Sequence, residues 1–178
     1  MSVYSEQIRQ AVRTIADWPK PGIQFSDITP LMLDPKIFRM LIDSFVHRYQ
    51  GQDIQGIAAL DARGFLLGAP LAYELGLPLV PVRKQGKLPY ETITQSYDLE
   101  YGNATIELHT DAFKAGDKVL VIDDLIATGG TMLAACELVK KLGAEIVECA
   151  AIIDLPALNG SNKIREAGFD VYSICDFD

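Results

Sequence analysis

Apolar residues recur along this chain in short runs set between polar segments, and the period of the pattern changes from run to run. Tyr4, Ile8, Val12 and Ile15 fall three or four residues apart with polar residues between them, which predicts a first helix. Residues 18–33 are rich in Pro, Gly and polar side chains and read as a structured loop. Asp34-Pro35 predicts an N-cap followed by proline at the first helical position. Ile37, Leu41, Phe45 and Val46 then mark the apolar stripe of a helix that ends near Tyr49. Residues 54–60 read as a strand, 65–75 as a helix and 77–82 as the next strand. Residues 84–102 are polar and lack a helical period; they read as a long loop or a mobile β-ribbon, and connections of that length are often functional lids. Residues 104–108 alternate as a strand does. Strands over 119–122, 146–153 and 171–174 follow, with helices over 132–142, ending at Gly143, and around Lys163.

Strand and helix alternate, which predicts an α/β fold: a mostly parallel, twisted sheet with helices on both faces. With 178 residues, 49% apolar and 22% charged, the chain reads as one globular soluble domain with a sizeable core. Its net charge of −8 argues against a nucleic-acid partner, since no basic helix or stripe is present. Cys136, Cys149 and Cys175 sit in apolar segments without metal or redox spacing, and read as reduced core residues of a cytoplasmic protein. The N-terminus lacks a signal-peptide pattern. The longest hydrophobic stretch, 64–82, contains Glu74 and three prolines and breaks at Gly76-Leu77-Pro78, so it reads as helix plus strand rather than a membrane span.

The segment 119–131 carries the most chemistry. Val119-Leu120-Val121-Ile122 reads as a strand buried on both faces, and Asp123-Asp124 follow at its carboxyl end. Ligands of open α/β sheets bind beyond the carboxyl ends of the strands. The turn Ala127-Thr128-Gly129-Gly130-Thr131 opens a helix, so it offers free backbone N–H groups, two hydroxyls and the positive end of a helix dipole, which suits a phosphate. Carboxylates accept hydrogen bonds from a vicinal diol. Acids and phosphate loop side by side therefore point to a ribose 5-phosphate. No Lys follows Gly130, which excludes a Walker loop, and acids placed before the glycines do not match a dinucleotide fingerprint. Arg83, Lys84 and Lys87 are the densest basic cluster in this acidic chain, and they follow a strand at the ligand-binding end; a solvated loop is the plainer reading. Arg63 follows the strand ending at Leu60, at the same end of the sheet, where a turn arginine paired with Asp61 is the alternative.

The segment 119–131 resembles the phosphoribosyl-pyrophosphate (PRPP) motif of the type I phosphoribosyltransferases. Pro21-Gly22-Ile23-Gln24-Phe25-Ser26-Asp27-Ile28-Thr29-Pro30, Asp61-Ala62-Arg63-Gly64-Phe65 and Tyr97-Asp98-Leu99-Glu100-Tyr101-Gly102 resemble segments of the adenine phosphoribosyltransferases, in the same order. The similarity runs from about Ile8 to the C-terminus. It implies the type I fold with a β-ribbon hood, in one domain over 1–178. Within it, 1–33 supply the first helix and base-binding loop and 84–103 a flexible catalytic loop. It implies a pentosyl-transferring glycosyltransferase of purine salvage: adenine and PRPP give AMP and pyrophosphate, with Mg²⁺ carried by PRPP and met by Asp123 and Asp124.

By the same resemblance, Gln24, Phe25 and Arg63 bind the base, and Arg63, Arg83, Lys84 and Lys87 bind pyrophosphate. Asp123, Asp124, Ala127, Thr128, Gly129, Gly130 and Thr131 bind PRPP and AMP. Glu100 and Tyr101 are catalytic, Glu100 either taking the proton adenine loses or stabilising the cationic ribosyl centre. The family forms homodimers, which implies one here, and it implies neither a nucleic-acid nor a membrane partner. Ser26 departs from the pattern, since the family commonly has a basic residue there. The rival readings are a phosphoribosyltransferase for 6-oxopurines and a non-catalytic PRPP-sensing regulator. Such regulators generally add a DNA-binding domain, for which this chain has no room.

Overall fold

The structure is a computed structural model that describes residues 3–98 and 102–177. The chain divides into two compact units, Met1–Gln50 and Gly51–Asp178.

The first unit runs α1 (Val3–Ala11), β1 (Arg13–Ala16), β2 (Gln24–Asp27), α2 (Thr29–Leu33) and α3 (Pro35–Tyr49). The first helix stops short of Ile15. Thr14 and Ile15 are β-branched and favour a strand, and in β1 they pair antiparallel with Ser26 and Phe25. The expected loop over 18–33 accordingly contains a strand and a short helix. The Arg13 guanidinium lies 2.6 Å from the Asp27 carboxylate at one end of this hairpin. Hydrogen bonds from Thr29 and Arg13 hold the Asp27 carboxyl down at about 2. Asp34 caps α3 as expected, accepting from the N–H groups of Lys36 at 2.8 Å and Ile37 at 3.3 Å.

The second unit runs β3 (Gly56–Leu60), α4 (Gly64–Leu75), β4 (Leu79–Lys84), β5 (Thr92–Asp98), β6 (Asn103–His109), β7 (Lys118–Ile126), α5 (Gly130–Lys141), β8 (Glu145–Asp154), α6 (Gly160–Glu166) and β9 (Val171–Asp176). Its seven strands are ordered β5-β6-β4-β3-β7-β8-β9. The five strands from β4 to β9 in that order are parallel, and β6 and β5 add an antiparallel ribbon at one edge. The segment 84–102 therefore contributes a paired strand to that ribbon rather than an unpaired loop.

Successive strand residues face opposite sides of the sheet. Ala58, Leu60, Val119, Val121, Cys149 and Ala151 join Ala135, Leu138 and Val139 of α5 and Ile164 of α6 in one buried core. On the other face, Ala59 and Ile122 meet α4 at Gly68. The sheet is thus covered on both sides, as the alternation of elements predicts. Cys136, Cys149 and Cys175 are unbridged and buried. No helix among the described residues is long and apolar enough to cross a membrane.

The α4 helix lies close on the sheet because Gly68 carries no side chain. A Cβ there would stand 2.7 Å from the Ala59 Cβ and 3.0 Å from Leu79 Cδ1. Gly68→Ala should therefore cost about 1–3 kcal/mol by overpacking, despite alanine's better helix propensity. Urea unfolding monitored by circular dichroism checks this; a gain in stability would show that the helix has room to retreat.

Candidate active site

The site begins with a difference in strand length. β7 pairs with β3 only through Ile122, but with β8 through Ile126. Asp123 and Asp124 were expected just after the strand; the structure keeps both within it, because β8 continues to pair beside them. Beyond Ile122 the β3 side of β7 is met by the turn at 61–63. There the Arg63 Nε donates to Asp124 Oδ2 at 2.5 Å, and the Asp124 carboxylate is only 5% exposed. Arg63 thus pairs with Asp124 instead of Asp61. Asp61 takes Arg83, whose Nε lies 3.2 Å from its Oδ2. The Asp61–Ala62 peptide in this turn is cis.

Asp123 has no cation of its own in that pattern. Its Oδ1 accepts from the Asp124 N–H at 2.8 Å. Burial, then the neighbouring Asp124 charge, raise its carboxyl well above the ordinary carboxylate range, against the opposing pull of Arg63. Asp123 and Thr131 line two adjoining cavities. The larger, about 620 Å³, is also walled by Asp61, Lys84, Gln85 and Tyr97. The smaller, about 80 Å³, is formed by the loop of Ala127, Thr128, Gly129 and Gly130. A ligand spanning both would meet a carboxylate at the junction, backbone N–H groups at one end and a lysine at the other.

The small cavity is shaped by backbone. Gly129 sits at φ +80° and starts α5 without a side-chain cap, so the first N–H groups of the helix have no intrahelical acceptor. Gly160, the first residue of α6, packs directly behind this loop. A Cβ on it would overlap the Ala127 carbonyl and stand 2.6 Å from the Gly129 nitrogen and 2.8 Å from the Thr128 carbonyl carbon. In front, the Thr131 hydroxyl donates to the Tyr97 hydroxyl at 3.1 Å, which ties the edge ribbon to the loop.

A profile for the phosphoribosyl transferase domain matches residues 36–167. The adenine phosphoribosyltransferase of Marinobacter nauticus is 60% identical over 178 residues, covering 100% of this chain and 99% of its own. Among solved structures, yeast adenine phosphoribosyltransferase, complexed with an imino-altritol bisphosphate and adenine, is 36% identical. It superposes with a TM-score of 0.92, covering 98% of this chain and 99% of that one. The Trypanosoma brucei enzyme, in complex with AMP, pyrophosphate and ribose-5-phosphate, is 32% identical with a TM-score of 0.89, covering 98% of this chain and 80% of that one. The chain belongs to the adenine phosphoribosyltransferase family.

Among this family member's expected site residues, Asp123, Lys84 and Thr131 share the larger cavity, while Ala127, Thr128, Gly129 and Gly130 form the smaller. Arg63 and Arg83 are held by carboxylates, and Lys87 stands outside the cavity lining on an exposed turn. In the first unit, Gln24 is exposed and Phe25 half-buried, its ring edge-on to Trp18 with centroids 4.3 Å apart. Ser26 is buried on the same strand. Glu100 and Tyr101 lie outside the described residues.

The residues fit a metal carried by the ligand rather than held by the protein. Asp124 is already paired, leaving Asp123 as the carboxylate on both cavities, and no group of three or more metal-ligating side chains occurs among the described residues. That donor set suits Mg²⁺ bound mainly through ligand oxygens. Gly160 and Tyr97 were not anticipated as parts of the site. Nothing in the sequence signals Gly160, but Tyr97 stands in a family-like segment.

Gly160→Ala should force the 127–130 loop out of place without touching any ligand-facing side chain. The affinity for ribose 5-phosphate should fall by about tenfold or more. Titration calorimetry reads this directly, and unchanged affinity would show that the loop does not depend on its backing.

Proposed function

We infer that this chain is an adenine phosphoribosyltransferase, which transfers the 5-phosphoribosyl group of PRPP to adenine and releases pyrophosphate, a purine-salvage step that makes AMP. One observation carries the reading: a carboxylate at the junction of two cavities, with a glycine-rich backbone loop in one and a lysine in the other. The relatives' bound adenine, AMP, pyrophosphate and ribose-5-phosphate support it.

The 5′-phosphate binds the N–H groups and hydroxyls of Ala127, Thr128, Gly129, Gly130 and Thr131. Asp123 accepts from the ribose hydroxyls, and Asp124 holds Arg63 toward the base and pyrophosphate. Arg83, Lys84 and Lys87 neutralise the leaving group, the interaction that grows most as the anomeric carbon turns cationic. Mg²⁺, when bound with PRPP, supplies further neutralisation of the diphosphate. The bond from the anomeric carbon to pyrophosphate breaks, the bond to the adenine nitrogen forms, and that nitrogen gives up its proton. Gln24 and Phe25 hold the base, and Glu100 and Tyr101 act at the reacting centre.

Residues 84–103 serve as the catalytic loop that closes over the substrates. In support, no residue of β5 is fully buried, as suits an element free to move. Both units belong to one catalytic domain, a reading supported by the family profile running across their boundary. The enzyme acts as a homodimer in the cytoplasm. Exposed Leu66 and Tyr73 on α4 support an apolar contact between copies, and the unbridged cysteines support a reducing compartment.

Two experiments test this reading. Adenine, hypoxanthine, guanine and xanthine, each offered with PRPP and Mg²⁺, should give rapid turnover with adenine alone. A site built to hydrogen-bond one base rejects another whose donors and acceptors are exchanged. Equal turnover of hypoxanthine or guanine would assign the chain to 6-oxopurines, and no turnover of any base would favour a PRPP-binding regulator.

The second experiment separates function from stability at Asp123. Its raised carboxyl binds a proton more tightly in the folded chain than in the unfolded one. That favours the fold at low pH, and the advantage is lost as pH climbs from the ordinary carboxylate value through the raised one. Asp123→Asn keeps an acceptor for the Asp124 N–H. It should leave the protein at least as stable at pH 7, while kcat/KM for PRPP falls by about tenfold or more, the worth of a hydrogen bond to a charged group. Lower stability with unchanged kinetics would remove Asp123 from the site.

A further inference from the structure

Glu107 takes no part in the scheme above, and its surroundings are unusual for its place on β6. Its neighbours Ile106 and Leu108 are buried in the core, so alternation along the strand should turn Glu107 to solvent, yet it is only 4% exposed. Its Oε1 accepts from the N–H of Lys87 at 2.8 Å and of Leu88 at 2.7 Å. Burial works to raise its carboxyl. The N–H groups of Leu88, Gly86 and Lys87, with His109 nearby, outweigh burial and hold it below the ordinary range.

The ladder alone cannot hold this turn. β4 pairs with β6 only at Arg83 and Lys84, and Glu107 is the register partner of Arg83. Directly past Lys84, the Gln85 N–H donates to the Thr105 carbonyl at 3.0 Å, and pairing with β6 resumes only at Thr92 of β5. The Lys87 peptide groups are then gripped from two sides: its N–H by Glu107, and its carbonyl by Arg83 Nη1 at 3.4 Å, with Arg83 itself held by Asp61. The turn follows Lys84, the last residue of β4, which lines the larger cavity, and it carries Lys87, three residues on.

We propose that Glu107 is a positioning residue for the pyrophosphate half of the reaction: its carboxylate ties down the backbone of residues 86–88 and so sets where Lys87, beyond the strand-held Lys84, meets the leaving group. The side chain spends its lone pairs on backbone N–H groups, so it can sit beside a polyanion site without facing the anion. It serves pyrophosphate rather than the 5′-phosphate because the turn it holds is separate from the 127–131 loop. The proposal rests on the reading of Lys87 as pyrophosphate-binding.

The test uses the whole 178-residue chain and the variants Glu107→Gln, Glu107→Ala, Lys87→Ala and the double Glu107→Gln/Lys87→Ala. The readouts are the inhibition constant of pyrophosphate, the Kd of AMP, kcat and KM for PRPP. AMP has no pyrophosphate group, so it reports the rest of the site. Glu107→Gln keeps the volume and one acceptor, and carries the test if Glu107→Ala fails to fold.

The expected result is pyrophosphate binding weakened about fivefold or more and a raised KM for PRPP, with AMP affinity within about twofold of the parent. In the Lys87→Ala background the same substitution should cost distinctly less, since contacting groups are not additive. Equal loss of AMP and pyrophosphate affinity would make Glu107 a general structural residue and overturn the proposal. So would unchanged pyrophosphate affinity in Glu107→Gln alongside a loss in Lys87→Ala. If Lys87→Ala leaves pyrophosphate binding intact, the underlying reading of Lys87 falls, and the proposal with it.

Discussion

The site depends on one mismatch of strand lengths. β7 runs four residues beyond its last pair with β3, at Ile122, while β8 keeps pace with it on the other side, through Ile126 paired with Asp154. A strand that ends level with its neighbours exposes only loops at its tip. Here two acids stay on rigid, hydrogen-bonded backbone, which places a functional group more closely than a loop does. The bare flank is taken by the turn at 61–63, and the Arg63–Asp124 pair seals it. Burying a carboxylate without a partner would be costly, so that pair decides which of the two acids remains available to a ligand.

The same logic explains how a chain of net charge −8 could present the polyanion site proposed above. The two arginines near the site are matched by carboxylates, Arg63 by Asp124 and Arg83 by Asp61, which orient them at the expense of net local charge. Backbone N–H groups do the rest. They stand uncapped at the start of α5, in the loop proposed to hold the phosphate, and residues 86–88 use theirs to grip Glu107. Backbone donors carry no net charge and lose no side-chain entropy on binding. Their placement requires chain segments to approach closely, which is the constraint Gly160 satisfies.

The parts of this molecule that follow from periodicity and capping could be read directly: the Asp34 cap, α3, the alternation of parallel strands and helices, and the glycine-rich loop opening α5. Other features turn on pairing between distant segments and were not legible. Ile15 continues the helical spacing of Tyr4 and Ile8, yet Phe25 across the hairpin draws it into a strand. Asp123 and Asp124 look like strand terminators, yet β8 carries the ladder past them. Glu107 looks solvated by alternation, yet the chain folds back over it at Lys87 and Leu88. Gly160 lies in a stretch with no motif, and only the three-dimensional approach of two backbones shows why it lacks a side chain.

The central claim is that the carboxyl-end extension of β7 and the loop after it form the seat of a ribose 5-phosphate. Backbone amide NMR of the 19.5 kDa chain titrated with AMP, and separately with adenosine, tests it most directly. The expected result is large shifts at the amides of Asp123, Asp124 and the residues from Ala127 to Thr131 with AMP, and none at 127–131 with adenosine, because the loop recognises the phosphate. AMP binding that leaves these amides unmoved, or adenosine shifting them equally, would contradict the account.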